Sequence, residues 1–251
     1  MFYLIGLGLK PEQITLEALN AMKACSELYF DSYTSCFSEG GLAELEKLVG
    51  RKIVSLQRAE IEEHFVEKLK EAREKSIALL VVGNALFATT HLQLLIDCAN
   101  LQVPYKFIPG ISLTNYLGLT GLSNYRFGET VSIVMPEPNY APESFYDKIA
   151  RNYKNNLHTL CLIDIKNGKP ASVKDALQRL LEIEETRNEK IIKDALIIII
   201  SSLGSKKQSI VAGKASELMH KEFARPASLI ICSELSEKER EALHALYKVK
   251  L

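Results

Sequence analysis

The stretch VVGNALFATTHLQ, residues 81–93, joins the end of an apolar strand-like run to a helix-like segment. Gly83 permits close approach of the backbone to a ligand, and either threonine of the ATT triplet can cap the following helix through its hydroxyl group. One threonine is enough for a cap. The further polar residues, Asn84 and His91, therefore indicate a lined pocket, because ligands of open α/β sheets bind outside the carboxyl ends of the strands.

Strand-like runs alternate with helix-like segments through the first part of the chain. A helix is predicted from about Thr15, which can cap it, and residues 62–75 have amphipathic helical spacing. This βα alternation predicts a largely parallel sheet with helices on its faces. The predicted strands are FYLIG at 2–6, SELYFD at 26–31, KIVSL at 52–56, IALLVVG at 77–83 and PYKFIPG at 104–110.

The remaining sequence contains less helix between its strands, which predicts a mixed sheet in a second domain. We expect α/β domains at 1–110 and 111–251, with the hinge near Pro109 and Gly110. The charged stretch EIEETRNEK, 182–190, is interpreted as a solvated surface. Predicted strands are 130–137, 158–166, 195–202, 209–213 and 227–232, and predicted helices are 143–155, 173–185 and 236–247.

Composition excludes several classes of function. Thirty-one basic residues balance 31 acidic ones, and no stretch concentrates Lys or Arg with interleaved aromatics, so direct nucleic-acid binding is not expected. The five cysteines lack metal-ligand spacing, which favours reduced thiols in a cytoplasmic protein and no metal site. The longest apolar run, ALIIII at 195–200, is too short to span a membrane.

Two more predicted strand ends contain glycine, as the segment at 81–93 does. LIGLGLKPE, 4–12, contains Gly6 and Gly8 but lacks the third glycine of a dinucleotide-binding fingerprint. FIPGISLTN, 107–115, places Ser112 after a Pro-Gly turn. Each segment alone can be ordinary turn chemistry, whereas their common position at one edge of the predicted sheet indicates a shared small-molecule site.

Several segments together resemble the diphthine synthase family of the tetrapyrrole-methylase superfamily, in order along nearly the whole chain. The resemblance implies two α/β domains with S-adenosylmethionine bound in the cleft between them, and a homodimer. It also implies methyl transfer to the amine of a modified histidine on translation elongation factor 2, with S-adenosylhomocysteine as the product; the number of methyl groups stays open. The matching segments are GLGL at 6–9, YTS at 33–35, GNALFATTH at 83–91, LTGLSNYRFG at 119–128, PE at 136–137, SFYD at 144–147 and LHTLCLIDIK at 157–166.

Carried over by position, the resemblance implies a set of cofactor contacts that are in large part backbone contacts. Asn84 departs from the family pattern, which usually has aspartate there; an amide keeps hydrogen bonding but loses a Coulomb attraction to a cationic cofactor. Tyr33, His91, Tyr125 and Asp164 are polar candidates near the expected cleft, and no catalytic base is assigned among them. The implied contacts are Leu9, Asn84, Phe87, Ser112, Leu113, Ile163, Leu203 and Ala227.

Two alternatives stay open at this stage. The chain could be a related tetrapyrrole-methylase enzyme that acts on a porphyrinoid or on ribosomal RNA. The neutral charge balance argues against RNA, and the YTS and LHTL segments argue against porphyrinoids. It could also be a catalytically silent scaffold whose Asn84 site no longer supports turnover.

Overall fold

The computed structural model describes residues 1–166 and 169–249. The chain forms two compact units, Met1–Asn115 and Tyr116–Leu251. The structure divides the chain after Asn115, whereas the sequence predicts a boundary after Gly110. Within the described residues, no helix is both long and apolar enough to cross a membrane.

The first unit contains a five-stranded sheet in the order β3-β2-β4-β1-β5. All of its strand pairs are parallel, as the βα alternation predicts. The strands are β1 Phe2–Gly6, β2 Glu27–Asp31, β3 Val54–Leu56, β4 Ile77–Val81 and β5 Tyr105–Ile108.

Helices cover both faces of this sheet. Thr15 caps α1, since its side chain accepts a hydrogen bond from the Ala18 amide at 3.1 Å. Leu79 packs in a core on one face and its neighbour Leu80 in a core on the other, as expected for a strand buried on both sides. The helices are α1 Leu16–Ala24, α2 Leu42–Val49, α3 Arg58–Glu62, α4 Phe65–Glu71 and α5 Leu92–Asn100, with 3₁₀ helices at Pro11–Gln13 and Leu113–Thr120.

The second unit contains a mixed five-stranded sheet in the order β11-β10-β12-β7-β6. Only the β6–β7 pair of this sheet is parallel; the other pairs are antiparallel. The mixed sheet predicted for this region is therefore confirmed. The strands are β6 Val131–Ile133, β7 Thr159–Ile163, β8 Ile165–Lys166, β9 Lys169–Pro170, β10 Ile197–Ser201, β11 Ser209–Gly213 and β12 Ala227–Ile231, of which β8 and β9 form a separate two-stranded sheet.

The charged stretch 182–190, interpreted as a solvated surface, is largely exposed, but Glu184 within it is fully buried. Its carboxylate accepts hydrogen bonds from the Ile192 amide at 2.5 Å and the Lys193 amide at 3.1 Å, at the start of a short helix. Helices of this unit are α6 Ser144–Lys154, α7 Val173–Arg187, α8 Ile191–Asp194, α9 Ala215–Leu218 and α10 Glu237–Tyr247, with a 3₁₀ helix at Asn124–Arg126.

Candidate functional site

Glycines bring together the carboxyl ends of the adjacent strands β4, β1 and β5. A Cβ atom on Gly6 would lie 2.6 Å from the Gly83 carbonyl oxygen, and one on Gly110 would lie 2.5 Å from the Gly6 carbonyl carbon. Side chains at these positions would therefore force the backbones apart. The three strand ends predicted to form a shared site do converge in the first unit.

A second contact fixes the loop after β1 against the loop after β4. The Gly83 amide donates to the Gly8 carbonyl at 2.9 Å. Both residues are left-handed, with φ of +79° at Gly8 and +80° at Gly83, a conformation that favours glycine. The GLGL segment and the opening of the GNALF segment are thus held as one surface.

Polar groups of the predicted cofactor contacts in this unit shape the same surface. The Asn84 side-chain oxygen accepts from the Leu86 amide at 3.1 Å, and the Asn84 carbonyl accepts from the Phe87 amide at 3.0 Å. The Ser112 hydroxyl lies 2.7 Å from the Thr114 hydroxyl. The structure places five predicted contacts at this edge of the sheet: Leu9, Asn84, Phe87, Ser112 and Leu113.

The other predicted contacts share one edge of the second sheet. Ile163 is the last residue of β7 and Ala227 the first of β12, and these strands run antiparallel. Ala227 also pairs with Ser201 at the end of β10, two positions before Leu203. These residues are far apart in the sequence, but the register of the strands places them at the same edge.

A buried acid–base pair lies beside the predicted cofactor contacts of the first unit. Asp31 ends β2, and one oxygen of its carboxylate lies 3.0 Å from His91 Nε2, with side-chain exposures of 0% and 1%. Burial opposes ionisation of Asp31, but the contact with His91 and the hydrogen bonds from Thr34 outweigh it and lower the pKa of the carboxyl. Sequence reasoning did not select Asp31, although a carboxylate that ends an apolar strand was a visible signal.

Tyr33 and Thr90 meet through a second carboxylate. The Tyr33 hydroxyl donates to Glu62 at 3.1 Å, and the Thr90 hydroxyl donates to the same oxygen at 3.3 Å. The YTS and ATTH segments, which are far apart in sequence, therefore join at one place. Neither threonine is the N-cap of α5, which is His91. The Thr89 hydroxyl donates to the Ala85 carbonyl at 2.6 Å and accepts from the His91 amide at 3.3 Å.

The remaining polar candidates, Tyr125 and Asp164, belong to the second unit. Tyr125 is 98% exposed, and Asp164 follows β7, where its carbonyl accepts from the Ala171 amide at 3.0 Å. Among residues 1–166 and 169–249, no group of three or more His, Cys, Asp or Glu side chains is arranged to hold a metal ion.

The LHTL and LTGLSNYRFG segments converge on a buried network in the second unit. The Glu239 carboxylate accepts from the Ser123 amide at 2.9 Å and contacts His158 Nε2 at 3.0 Å, and it also pairs with Arg126. The other ring nitrogen of His158 accepts from the Ser233 amide at 3.1 Å. These motif residues hold the fold of the second unit together.

Comparison with known proteins identifies the family of the chain. The family model described as Tetrapyrrole (Corrin/Porphyrin) Methylases matches residues 1–219. The chain belongs to the tetrapyrrole methylase family. Enzymes of this family are methyltransferases that use S-adenosylmethionine.

Within the tetrapyrrole methylase family, the chain is similar to diphthine synthases over its whole length. It is 38% identical to the diphthine methyl ester synthase of Schizosaccharomyces pombe, covering 100% of this chain and 95% of that protein. It is 36% identical to the diphthine synthase of Methanococcus aeolicus, with 98% of each chain covered. A crystal structure of diphthine synthase superposes with a TM-score of 0.89 at 26% identity, covering 100% and 97% of the two chains. The resemblance found in the sequence is confirmed, and the chain is a methyltransferase of diphthamide biosynthesis.

Proposed function

We propose that the chain transfers methyl groups from S-adenosylmethionine to the amine of the modified histidine of translation elongation factor 2. The observation that carries the proposal is the convergence of Gly6, Gly83 and Gly110. It gathers the loops after three parallel strands at the edge where α/β sheets bind ligands. The names of the full-length relatives support the substrate.

The residues at the strand ends fit this cofactor. A Cβ atom on Gly83 would meet only the Ser112 Cβ, at 3.8 Å, so the missing side chain leaves room for close approach of a ligand. Amide and hydroxyl groups of Asn84 and Ser112 provide polar partners, while Phe87 and Leu113 provide apolar surface. When bound, S-adenosylmethionine supplies a methyl group activated by a sulfonium.

The contribution of the chain is alignment more than proton transfer. Burial raises the pKa of Tyr33, so its phenol stays protonated at neutral pH and acts as a hydrogen-bond donor to Glu62. His91 is buried against Asp31. Neither side chain is therefore proposed as the base for the acceptor amine, which must be neutral to attack.

Mass spectrometry tests the proposed reaction. The enzyme is incubated with elongation factor 2 that carries the unmethylated modified histidine and with isotopically labelled S-adenosylmethionine. We expect labelled methyl groups on that one histidine, and their number gives the endpoint. An unlabelled factor, together with label on a porphyrinoid or on ribosomal RNA offered in parallel, would contradict the proposal.

Calorimetry with S-adenosylmethionine separates an enzyme from a silent scaffold. We expect saturable binding, with heat released in proportion to one site per chain. A properly folded chain that takes up no cofactor would favour the scaffold alternative.

We also propose that the chain acts in the cytoplasm as a homodimer. All five cysteines are free, and burial raises the pKa of the Cys25 and Cys98 thiols to about 11. Unreactive thiols suit a reducing compartment.

Family membership supports the homodimer, and light scattering of the purified chain tests it. A monomer mass across the accessible concentration range would contradict the proposed dimer.

A further inference from the structure

The loops that follow β2 and β4 contact each other through Asp31 and His91, to which the proposed reaction assigns no catalytic role. These strands are neighbours in the first sheet. The loop after β4, residues 82–91, carries two of the proposed cofactor contacts, Asn84 and Phe87. The loop after β2 begins at Asp31 and carries the YTS segment.

Asp31 binds groups on both loops. One carboxylate oxygen accepts from the Tyr33 amide at 2.9 Å and the Thr34 amide at 3.0 Å. The other oxygen accepts from the Thr34 hydroxyl and lies 3.0 Å from His91 Nε2. The carboxylate therefore organises its own loop and holds the imidazole of the next one.

His91 also contacts the backbone of its own loop, in the bend formed by residues 84–90. Its Nδ1 lies 3.3 Å from the Ala85 carbonyl, which also accepts from the Thr89 hydroxyl at 2.6 Å. Ala85 directly follows Asn84 and is fully buried. Fixing this carbonyl fixes the Ala85–Leu86 peptide, the central peptide of the turn that the Asn84 carbonyl and the Phe87 amide close. The amide of the same peptide donates to the Asn84 side-chain oxygen.

We propose that Asp31 and His91 are positioning residues that hold the Asn84–Thr90 bend in the conformation that binds the cofactor. The inference rests on the proposed function, because it takes S-adenosylmethionine to be the ligand of this bend. Ala88, within the bend, has φ of +55°, a region that alanine seldom adopts. A bend that contains such a residue needs several contacts to hold its backbone conformation. The Asp31–His91 pair and the contact of His91 with the Ala85 carbonyl supply them.

The principal variant is His91→Phe, which fills the ring space but removes both nitrogen contacts. The dissociation constant for S-adenosylmethionine is measured by calorimetry, well below the unfolding temperature of each variant. We expect binding to weaken on the order of tenfold, because a displaced loop misplaces its ligand contacts. His91→Gln keeps an amide donor that can reach Asp31, and we expect it to recover most of the affinity.

Cys98→Ala is the matched control. Cys98 is also fully buried and lies on α5, the helix that follows His91, but it packs in the core. We expect this variant to lower the unfolding temperature without changing the dissociation constant.

Two outcomes would overturn the positioning role. One is wild-type affinity in folded His91→Phe, and the other is equal weakening in Cys98→Ala, which would mean that general destabilisation is the cause. If His91→Phe does not fold, the double variant Asp31→Asn/His91→Phe also removes the carboxylate charge that lost its partner. Wild-type affinity of this double variant for S-adenosylmethionine would likewise overturn the positioning role. A wild-type chain that binds no S-adenosylmethionine would instead contradict the proposed function.

Discussion

Asp31, Glu184 and Glu239 are buried carboxylates, and each accepts hydrogen bonds from backbone amides of a loop or a helix start. At Asp31 and Glu239 these hydrogen bonds outweigh the effect of burial and lower the pKa of the carboxyl. Each of these residues therefore fixes a turn of the backbone from inside the molecule. Replacing one leaves amide donors buried and unpaired, which is costly.

Glu239 should make stability depend on acid pH. Burial opposes ionisation, but amide groups of Ser123 and Ser236 and the His158 ring lower its pKa from the ordinary 4.5 to about 2. Between those values the unfolded chain binds a proton that the folded chain does not, so the free energy of unfolding falls as pH falls. In Glu239→Gln we expect a loss of about 3 kcal/mol at neutral pH and a flatter dependence below pH 4.5. Urea unfolding across this range measures both, and parallel pH curves for the two proteins would contradict the assignment.

Asn84→Asp should strengthen binding of the cationic cofactor. The acid keeps an oxygen that can accept from the Leu86 amide, as Asn84 does at 3.1 Å, and adds a negative charge. We expect tighter binding of S-adenosylmethionine by a few-fold, an effect that salt screens. S-adenosylhomocysteine, which lacks the sulfonium charge, is the control titration and should respond less. Identical affinities of both proteins for both ligands would mean that this side chain has no part in binding.

At the scale of elements, the first sheet is organised so that strands adjacent in space end at a common edge. β4, β1 and β5 come from distant parts of the sequence, yet their terminal glycines touch. The contact is between backbones, so its geometry tolerates no side chain. Loop position is therefore set by the sheet and not by flexible surface groups.

Gly110→Ala should disrupt this edge. The new methyl group would lie 2.5 Å from the Gly6 carbonyl carbon, so the backbones must separate. We expect destabilisation of about 1–3 kcal/mol and loss of S-adenosylmethionine binding, measured by thermal unfolding and calorimetry. Gly41→Ala, in the same unit, is the control, because a Cβ there meets nothing within 4 Å. Full affinity in Gly110→Ala would refute the role given to this contact.

The elements could be predicted because their signals are local. Apolar runs such as IIIIS at 197–201, caps such as Thr15 and turn glycines such as Gly83 act within a few residues of themselves. Tertiary partners could not be predicted in this way. Glu239 and Ser123 are 116 positions apart, and no sequence period links them. For the same reason, the sequence alone predicts neither the Asp31–His91 pair nor the burial of Glu184.

The whole molecule consists of units with separate apolar interiors. The core of the second unit is one cluster that includes Leu177, Ile199 and Leu229. The first unit has a core on each face of its sheet. A unit with its own core can unfold as its own cooperative structure.

Leu177→Ala tests this separation. Leu177 lies on α7 and is fully buried in the core of the second unit, and its truncation should cost about 2–5 kcal/mol. Hydrogen exchange followed by mass spectrometry should show faster exchange in residues 116–249 and little change in residues 1–115. Leu69→Ala, in a core of the first unit, should give the reverse pattern. An equal acceleration in both units for either variant would show that they unfold together.

The strand order of the first unit has a consequence for synthesis on the ribosome. β1 precedes its sheet neighbours β4 and β5 in the sequence, so the backbone hydrogen-bonding groups on its two edges stay unpaired until residues 77–81 and 105–108 have been translated. Parallel pairings of this range form slowly and leave strands open to aggregation meanwhile. Both edges of β1 can therefore be paired only once β5 has left the exit tunnel.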